Sequence, residues 1–177
     1  MKITYYVHGS TKDNEVNIAS GWTQNSLSQK GVEQTIIAAK SIEAAKYDRI
    51  FASDLLRAIE SAQILFSEDK DSIAVDARLR ECNYGAFTKK PSNDLVYVNH
   101  IHIPFPDGES LYDVELRVRE FLEEMKSLSY NHIAIVGHRA PQLALDVITR
   151  NFTWELAIDH DWRIGGNWQL CWEYTFL

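Results

Sequence analysis

The chain has 177 residues, of which 45% are hydrophobic and 24% are charged, and its formal net charge is −7. These values are close to the average of globular domains and exclude disordered and collagen-like chains. The acidic balance argues against a broad nucleic-acid interface, which needs a basic face, but not against an anionic substrate held by local charges. A chain of this length predicts one domain over residues 1–177.

The sequence also bears on the compartment of the protein. No apolar run approaches the roughly 20 residues that span a bilayer. The first ten residues, MKITYYVHGS, match neither a signal peptide nor a membrane anchor. Cys82 and Cys171 are the two cysteines, and their wide separation indicates neither a disulfide framework nor a metal site. We therefore predict a cytoplasmic protein with buried, reduced cysteines and with no membrane or nucleic-acid partner.

Short strands and helices alternate along the first half of the chain. Residues 3–7 are a β-branched and aromatic run that predicts a strand. Apolar residues at helical spacing follow from Ser28 onward. Residues 50–52 predict a second strand, and the next apolar stripe predicts a helix with Ser53 as its N-cap.

The alternation resumes after an irregular segment in the second half. Residues 73–75 predict a short strand, and residues 78–105 predict a long excursion with at most one short helix. Apolar spacing over residues 111–128 predicts a long helix. The continuously apolar residues 133–136 predict a strand covered on both faces, and residues 168–176 predict a closing strand.

Strands that alternate with helices predict an α/β fold, a three-layer α/β/α sandwich with a mostly parallel central sheet. The carboxyl ends of parallel strands share one rim, where ligands bind. His8, Ser53 and His138 each follow a predicted strand, so we expect the two histidines to meet there. Arg57, in a first helical turn, can reach back to the same rim. Free N–H groups at helix starts near Ser53 and Arg139 would offer a seat for phosphate.

Six motifs in the chain carry a resemblance to a known family. They are YYVHGSTKDN, GWTQNSLSQKGVEQ, ASDLLRAIESA, LRECNYG, PDGES and IVGHRAPQLAL. Together, and in this order, they resemble the histidine phosphatase superfamily, also called phosphoglycerate-mutase-like, over roughly residues 2–150. The resemblance implies a three-layer α/β/α fold and phosphoryl transfer through a phosphohistidine.

The resemblance implies catalytic roles for three residues. His8 matches the nucleophile, and a neutral imidazole nitrogen is indeed nucleophilic near pH 7. His138 matches a second pocket histidine that donates to the phosphoryl oxygens. Glu81 matches the general acid, which protonates the leaving oxygen and then activates water. The alternatives are histidines that only pack at strand ends, and a surface glutamate paired with Arg78 or Arg80.

Four further residues are expected to contact phosphate. Arg57 matches a phosphate-binding arginine of the family, whose planar fork suits an oxyanion. Thr11 and Asn14 lie where the family places polar phosphate contacts, and Arg139 follows the second histidine. The alternative for both arginines is a solvated charge on a helix surface.

One motif departs from the family pattern, because Val7 stands where the family has arginine before the histidine. The missing arginine would grip the same phosphoryl oxygens as Arg57. Its loss costs about 1.5–3 kcal/mol of ligand binding, or roughly a hundred- to a thousandfold in rate. Arg139, which we favour, or Lys12 could restore the positive charge.

The excursion, about residues 83–109, is expected to form the leaving-group side of the pocket. Its aromatic and histidine residues either line that pocket or pack as a lid; they are Tyr84, Phe87, Tyr97, His100, His102 and Phe105. His100 and His102 lack a third ligand at metal spacing, so we expect neither a metal nor a cofactor. The late tryptophans are expected to pack the C-terminal strand and helix, with a homodimer contact as the alternative; they are Trp154, Trp162, Trp168 and Trp172.

The function predicted from these residues is a metal-independent phosphomonoesterase acting on a small phosphorylated metabolite. A catalytically silent phosphate-binding module is the first alternative, motivated by Val7. A phosphoglycerate-type mutase is the second, and it ranks lower because family mutases carry longer excursions than this chain accommodates.

Overall fold

The structure, a computed structural model, describes residues 1–42, 47–69, 72–165, 169 and 171–177. Five strands form one sheet in the order β3-β2-β4-β1-β5. They are β1 (Lys2–Val7), β2 (Arg49–Ala52), β3 (Ile73–Val75), β4 (His132–Gly137) and β5 (Trp172–Thr175). β5 is antiparallel to β1, and the other neighbours are parallel. The predicted α/β fold with a mostly parallel sheet is confirmed.

Helices cover both faces of this sheet. They are α1 (Lys12–Glu15), α2 (Gln29–Ala39), α3 (Leu56–Leu65), α4 (Leu111–Ser127), α5 (Arg139–Arg150), α6 (Trp154–Asp159) and α7 (Trp162–Gly165). Side chains alternate between the faces along each strand. Tyr5 therefore packs into the core under α4 and α5, whereas Tyr6 packs into the core under α3, with α2 beside it.

The excursion contains more short helices than expected. Four 3₁₀ turns lie between β3 and α4; they span Ala77–Leu79, Gly85–Phe87, Ser92–Asp94 and Tyr97–His100. The expectation of at most one short helix was wrong, because turns of three or four residues are too short to leave a periodic pattern.

The start of α3 also differs from the prediction. Ser53 directly follows β2 and is fully buried, and its N–H continues the pairing with β4 by donating to Val136 O at 3.1 Å. The N-cap is therefore Leu55, which makes no side-chain cap. Ser53 Oγ accepts from the N–H of Leu55, and Gln24 Oε1 accepts from that of Leu56 at 2.8 Å.

Helix α2 fixes the loop that follows β1. A Cβ atom at Gly31 would lie 1.9 Å from the carbonyl oxygen of Ser10, so glycine permits this close approach. Ser28 caps α2 by accepting from the N–H of Gly31, and its own N–H donates to Ser10 O. The backbone at Ser10, just after His8, is therefore held against the start of α2.

The C-terminal strand is shorter than predicted, and Trp168 lies outside the described residues. Trp172 stacks on Trp162 with ring centroids 5.3 Å apart. Trp154 is buried, and its Nε1 donates to Glu115 at 2.9 Å. Within the described part of the chain, no helix combines the length and apolarity needed to cross a bilayer.

Candidate active site

The structure brings the two histidines together at the carboxyl end of the sheet. β1 and β4 are parallel neighbours with Val7 opposite Gly137. His8, which follows Val7, and His138, which follows Gly137, therefore emerge side by side. Their ring centroids are 5.0 Å apart and their planes are tilted by 58°. A single phosphoryl group is small enough to contact both rings.

The surroundings of His8 define which of its ring nitrogens can react. Nδ1 lies 2.7 Å from the carbonyl oxygen of Gly9. Because a carbonyl oxygen only accepts hydrogen bonds, Nδ1 carries the proton and Nε2 keeps its lone pair. Burial and the positive charge of Arg57 lower the pKa of His8 to about 3. The ring is therefore neutral at pH 7, with a nucleophilic Nε2.

His138 is fully buried at the start of α5. Its backbone is fixed by Tyr5, whose hydroxyl accepts from the N–H and donates to the carbonyl, both at 2.7 Å. Burial and the charge of Arg57 hold its pKa well below the ordinary value. Within the described structure neither ring nitrogen has a hydrogen-bond partner. An unsatisfied buried polar group costs about 1–3 kcal/mol, which a bound oxyanion would offset.

Arg57 reaches the same rim from the first turn of α3. It is 2% exposed, and its Nη1 and Nη2 donate to the carbonyl oxygens of Thr23 and Gly21 at 2.9 and 2.8 Å. Burial lowers the pKa of Arg57 below its ordinary value, and the carboxylate of Glu81 opposes that shift. An arginine remains charged even so. Arg57 is thus a fixed cation beside both histidines, not a solvated surface charge.

Glu81 is 8% exposed and occupies the N-terminus of α5. Its Oε1 accepts from the backbone N–H groups of Cys82 at 2.9 Å and Ala140 at 3.0 Å, and its Oε2 accepts from that of Arg139 at 3.2 Å. The expectation that the N–H groups near Arg139 are free to bind phosphate was therefore wrong. A helix N-terminus attracts the nearest anion, and here that anion is a side chain of the protein itself.

The backbone of Glu81 is held by two residues that the sequence analysis missed. Trp22 Nε1 donates to the carbonyl oxygen of Glu81 at 2.7 Å, and Arg117 Nη2 does so at 3.0 Å. Arg117 also pairs with Glu109 at 2.9 Å. Trp22 lies in the motif that begins at Gly21, but the motif gave it no role, and Arg117 lies in none of the six motifs. Each residue acts through a contact between segments distant in sequence.

The surface ion pairs proposed as the alternative for Glu81 are not formed. Arg78 pairs instead with Asp76 and Glu124. Arg80 pairs with Asp54. The carboxylate of Glu81 is therefore engaged only by backbone N–H groups among the residues that the structure describes.

Most of the predicted site residues line one cavity of about 480 Å³. Those lining it are His8, Asn14, Arg57, Glu81 and Arg139. His138 is fully buried and is not among the lining residues, but its ring lies against that of His8, which does line the cavity.

Two of the remaining residues lie away from the cavity surface. Thr11 is fully buried as the N-cap of α1, where it forms a capping box with Asn14. The side chain of Thr11 therefore orients Asn14, which itself faces the cavity. Lys12 is exposed in the first turn of α1 and does not line the cavity.

The aromatic residues of the excursion mostly pack against one another. Tyr97 and Phe105 are 3% and 1% exposed, and His100 stacks on Phe105 with centroids 3.7 Å apart. Tyr84 lines the cavity together with Leu95. The excursion therefore supplies one wall of the cavity, while most of its aromatic side chains form a packed cluster beneath.

Two arginines that share the carboxylate of Asp161, Arg139 and Arg163, complete the wall of the cavity. Of the two, only Arg139 was expected from the sequence. Asp161 is 4% exposed and accepts from Arg139 Nε at 2.6 Å and from Arg163 Nη1 at 2.9 Å. Arg163 lines the cavity with Arg139. Asp161 and Arg163 follow the last recognisable motif, so the sequence offered no signal for them.

The expected absence of a metal stays a prediction. In the part of the chain that the structure describes, no group of three or more His, Cys, Asp or Glu side chains is arranged to hold a metal ion. His100 Nδ1 lies 3.0 Å from the carbonyl oxygen of Ile103.

Fold and site together define an α/β protein with an anion pocket built around two neutral histidines. Comparison with known sequences gives the family: the profile of the histidine phosphatase superfamily (branch 1) matches residues 6–171. The chain belongs to this superfamily.

Curated relatives include phosphatases and mutases. A protein of Hydrogenobacter thermophilus named as a phosphoserine phosphatase is 32% identical over 149 residues, which are 78% of this chain and 73% of that protein. A 2,3-bisphosphoglycerate-dependent phosphoglycerate mutase of Streptococcus agalactiae is 37% identical over 95 residues. That match covers 51% of this chain and 41% of the mutase.

Solved structures share the fold. The alpha-ribazole phosphatase of Shigella flexneri has a TM-score of 0.78 at 22% identity, over 90% of this chain and 84% of that one. The mycobacterial glucosyl-3-phosphoglycerate phosphatase has a TM-score of 0.75 at 24% identity, over 86% and 81%.

Proposed function

We propose that the protein is a metal-independent phosphomonoesterase that hydrolyses a small phosphorylated metabolite through a phosphohistidine at His8. One observation carries the proposal: a neutral His8 with an available Nε2 lies against His138, beside a cavity that Arg57 and Glu81 also line. The Hydrogenobacter relative, named as a phosphatase and matched over 78% of this chain, supports this class of reaction.

The first step of the proposed reaction forms the phosphoenzyme. The Nε2 lone pair of His8 attacks phosphorus, and the bond between phosphorus and the leaving oxygen breaks. Entry of the phosphate dianion beside the carboxylate of Glu81 favours its protonation, and Glu81 then transfers that proton to the leaving oxygen, so the leaving group departs as a neutral alcohol. Arg57 and the ring N–H of His138 donate to the phosphoryl oxygens as their charge changes.

The second step regenerates the enzyme. A water molecule attacks the phosphohistidine while the carboxylate of Glu81 takes its proton. The phosphorus–nitrogen bond breaks, and its electron pair returns to Nε2 of His8. Inorganic phosphate leaves, and Glu81 is protonated again for the next cycle.

Two alternatives differ in the fate of the phosphoryl group. A silent module would bind phosphate or a phosphorylated ligand without transfer, as Val7 suggests. A mutase would return the phosphoryl group to another position of the same substrate, and the streptococcal relative favours this alternative. That relative matches only 51% of the chain, so we rank hydrolysis first.

The proposal also includes a cytoplasmic location and a substrate as the principal partner, without nucleic acid or membrane. A homodimer is the alternative to a monomer, but its contact would not include Trp154 or Trp172, because both are buried.

A screen of phosphorylated metabolites tests the proposal. Wild-type protein and the His8→Ala variant are incubated with each compound, and both free phosphate and the organic product are measured. We expect stoichiometric phosphate release by the wild type alone. An isomerised product would favour the mutase, and tight binding of phosphate compounds without turnover would favour the silent module.

A further inference from the structure

We propose that Arg163 supplies the phosphate-binding guanidinium that the chain lacks at position 7. This inference rests on the proposed function, since it concerns the same phosphoryl group. Arg163 lies in α7, far from Val7 in sequence, yet it lines the same cavity as Val7 and His8. The guanidinium of Arg163 in α7 would then replace the arginine that the family has at position 7, at the end of β1.

The side chain of Arg163 is fixed in place by three neighbours. Nη1 donates to Asp161 Oδ1 at 2.9 Å, and Nη2 donates to Gln142 Oε1 at 3.1 Å. The guanidinium carbon lies 4.3 Å from the ring centroid of Trp162. A guanidinium has five N–H groups, and within the described structure no side chain or carbonyl accepts from the other three. Arg163 is therefore oriented and still has donors for an oxyanion.

The charge balance around Asp161 leaves positive charge in the cavity wall. The carboxylate of Asp161 is fully buried and is shared by Arg139 and Arg163. A buried carboxylate needs a cation to offset its desolvation, and one of the two arginines suffices for this. The second cation is then available to a phosphate dianion, in addition to the fixed charge of Arg57, which lines the same cavity.

Of the two arginines, Arg163 is better placed to act on the reacting group. Arg139 pairs through Nε with Asp161, and its guanidinium lies 4.3 Å from the ring centroid of Tyr97, against the excursion. Arg163 lowers the pKa of His8 after burial and Arg57, and it lowers the pKa of His138 after burial, Arg57, His8 and Arg117. The field of Arg163 thus reaches the rings that would hold the phosphoryl group.

A double-mutant cycle with position 7 tests this assignment. The variants are Arg163→Gln, Val7→Arg and their combination, with Arg119→Gln as the control. Arg119 is a half-exposed arginine paired with Glu115 on α4. We expect Arg163→Gln to lower kcat/KM for an aryl phosphate by roughly a hundred- to a thousandfold. Inorganic phosphate should bind at least about tenfold more weakly. Val7→Arg should restore most of both losses in the combined variant.

The charge-conserving variant Arg163→Lys distinguishes a role of Arg163 in phosphate binding from a purely structural role. Lysine can keep the ion pair with Asp161 but cannot offer a planar fork, so it should fold with the thermal stability of Arg119→Gln and still bind phosphate more weakly. An equal loss from Arg163→Gln with and without Val7→Arg would overturn the assignment. So would phosphate affinity in Arg163→Gln or Arg163→Lys that equals that of the wild type.

Phosphate binding by calorimetry separates this inference from the proposed reaction, because it needs no turnover. A wild type that binds phosphate but does not turn over, with binding lost in Arg163→Gln, would support the role of Arg163 and contradict the phosphatase. A wild type that neither binds phosphate nor turns over would contradict both.

Discussion

Glu81 Oε1 accepts a hydrogen bond of 3.0 Å from the backbone N–H of Ala140. A carboxylate from the segment after β3 is therefore bound to the first turn of α5, immediately beyond His138. Glu81, the candidate general acid, and His138, the candidate hydrogen-bond donor to the phosphoryl oxygens, are thus both held at the N-terminus of α5. A change in the position of that turn would move both groups together.

The substitution Glu81→Gln should separate the acid role of this residue from its structural role. The glutamine side chain keeps an acceptor oxygen for α5, so the fold should persist, but it can neither give nor take a proton. We expect hydrolysis of alkyl phosphates to fall by about a hundred- to ten-thousandfold. An aryl phosphate with a good leaving group should still phosphorylate His8, and the phosphoenzyme should accumulate because water is not activated.

Rapid-quench kinetics with aryl and alkyl phosphates measure this difference. The control is Glu120→Gln, at a side chain 74% exposed on α4, which should keep wild-type rates. Equal losses for good and poor leaving groups, with no burst, would show that Glu81 is not the general acid.

Val7→Arg should leave activity unchanged or raise it. The substitution adds the guanidinium that the family has before the nucleophile, and Val7 lines the cavity, so the new side chain has access to the phosphoryl site. Steady-state kinetics on an aryl phosphate measure the effect. A large loss would mean that the pocket has been rebuilt around valine and has no space for a second cation there.

The low pKa of His8 should appear in the pH dependence of stability. An unperturbed histidine has a pKa of about 6.5, whereas folded His8 has a pKa of about 3. Below about pH 6.5 the unfolded chain binds a proton that the folded chain does not, so stability falls as the pH decreases toward about 3. His8→Gln removes this contribution, and its stability should fall less steeply.

Urea unfolding at about pH 7 and about pH 4.5 measures that slope. His160→Gln, at a histidine whose side chain is 59% exposed, is the control and should keep the wild-type slope. A His8→Gln variant that loses stability as steeply as the wild type would show that folded His8 does not have a lowered pKa.

Metal chelators should leave the activity unchanged, and vanadate or phosphate should inhibit competitively. The proposed chemistry uses only imidazole, guanidinium and carboxyl groups, and the inhibitors would occupy the pocket meant for the phosphoryl group. Activity assays after dialysis against a chelator, with and without added divalent cations, test the first expectation. Loss on dialysis with recovery on metal addition would contradict the mechanism.

The sequence allowed the strands, the long helices and the meeting of His8 with His138 to be predicted. Each of the four parallel strands is a short, mostly apolar run that is followed by a polar residue, and parallel strands share one rim. These local patterns predicted that His8 and His138 lie close together, although they are 130 positions apart in the sequence.

Other features depended on contacts that leave no local pattern. The 3₁₀ turns of the excursion are too short for periodicity. Glu81 takes the helix N-terminus that seemed open to phosphate, because a segment distant in sequence brings it there. Arg163 lines the cavity from α7 and is held there by the buried carboxylate of Asp161, and no motif marks either residue.

The formation of a phosphohistidine at His8 is the decisive test of the proposed reaction. Wild-type protein is mixed briefly with an aryl phosphate, quenched under alkaline conditions that preserve phosphohistidine, and analysed by peptide mass spectrometry. We expect one phosphoryl group on the peptide that contains His8, absent from His8→Ala, whose turnover should fall below a few per cent. Turnover without label on that peptide, or a label on another residue, would contradict the proposed reaction.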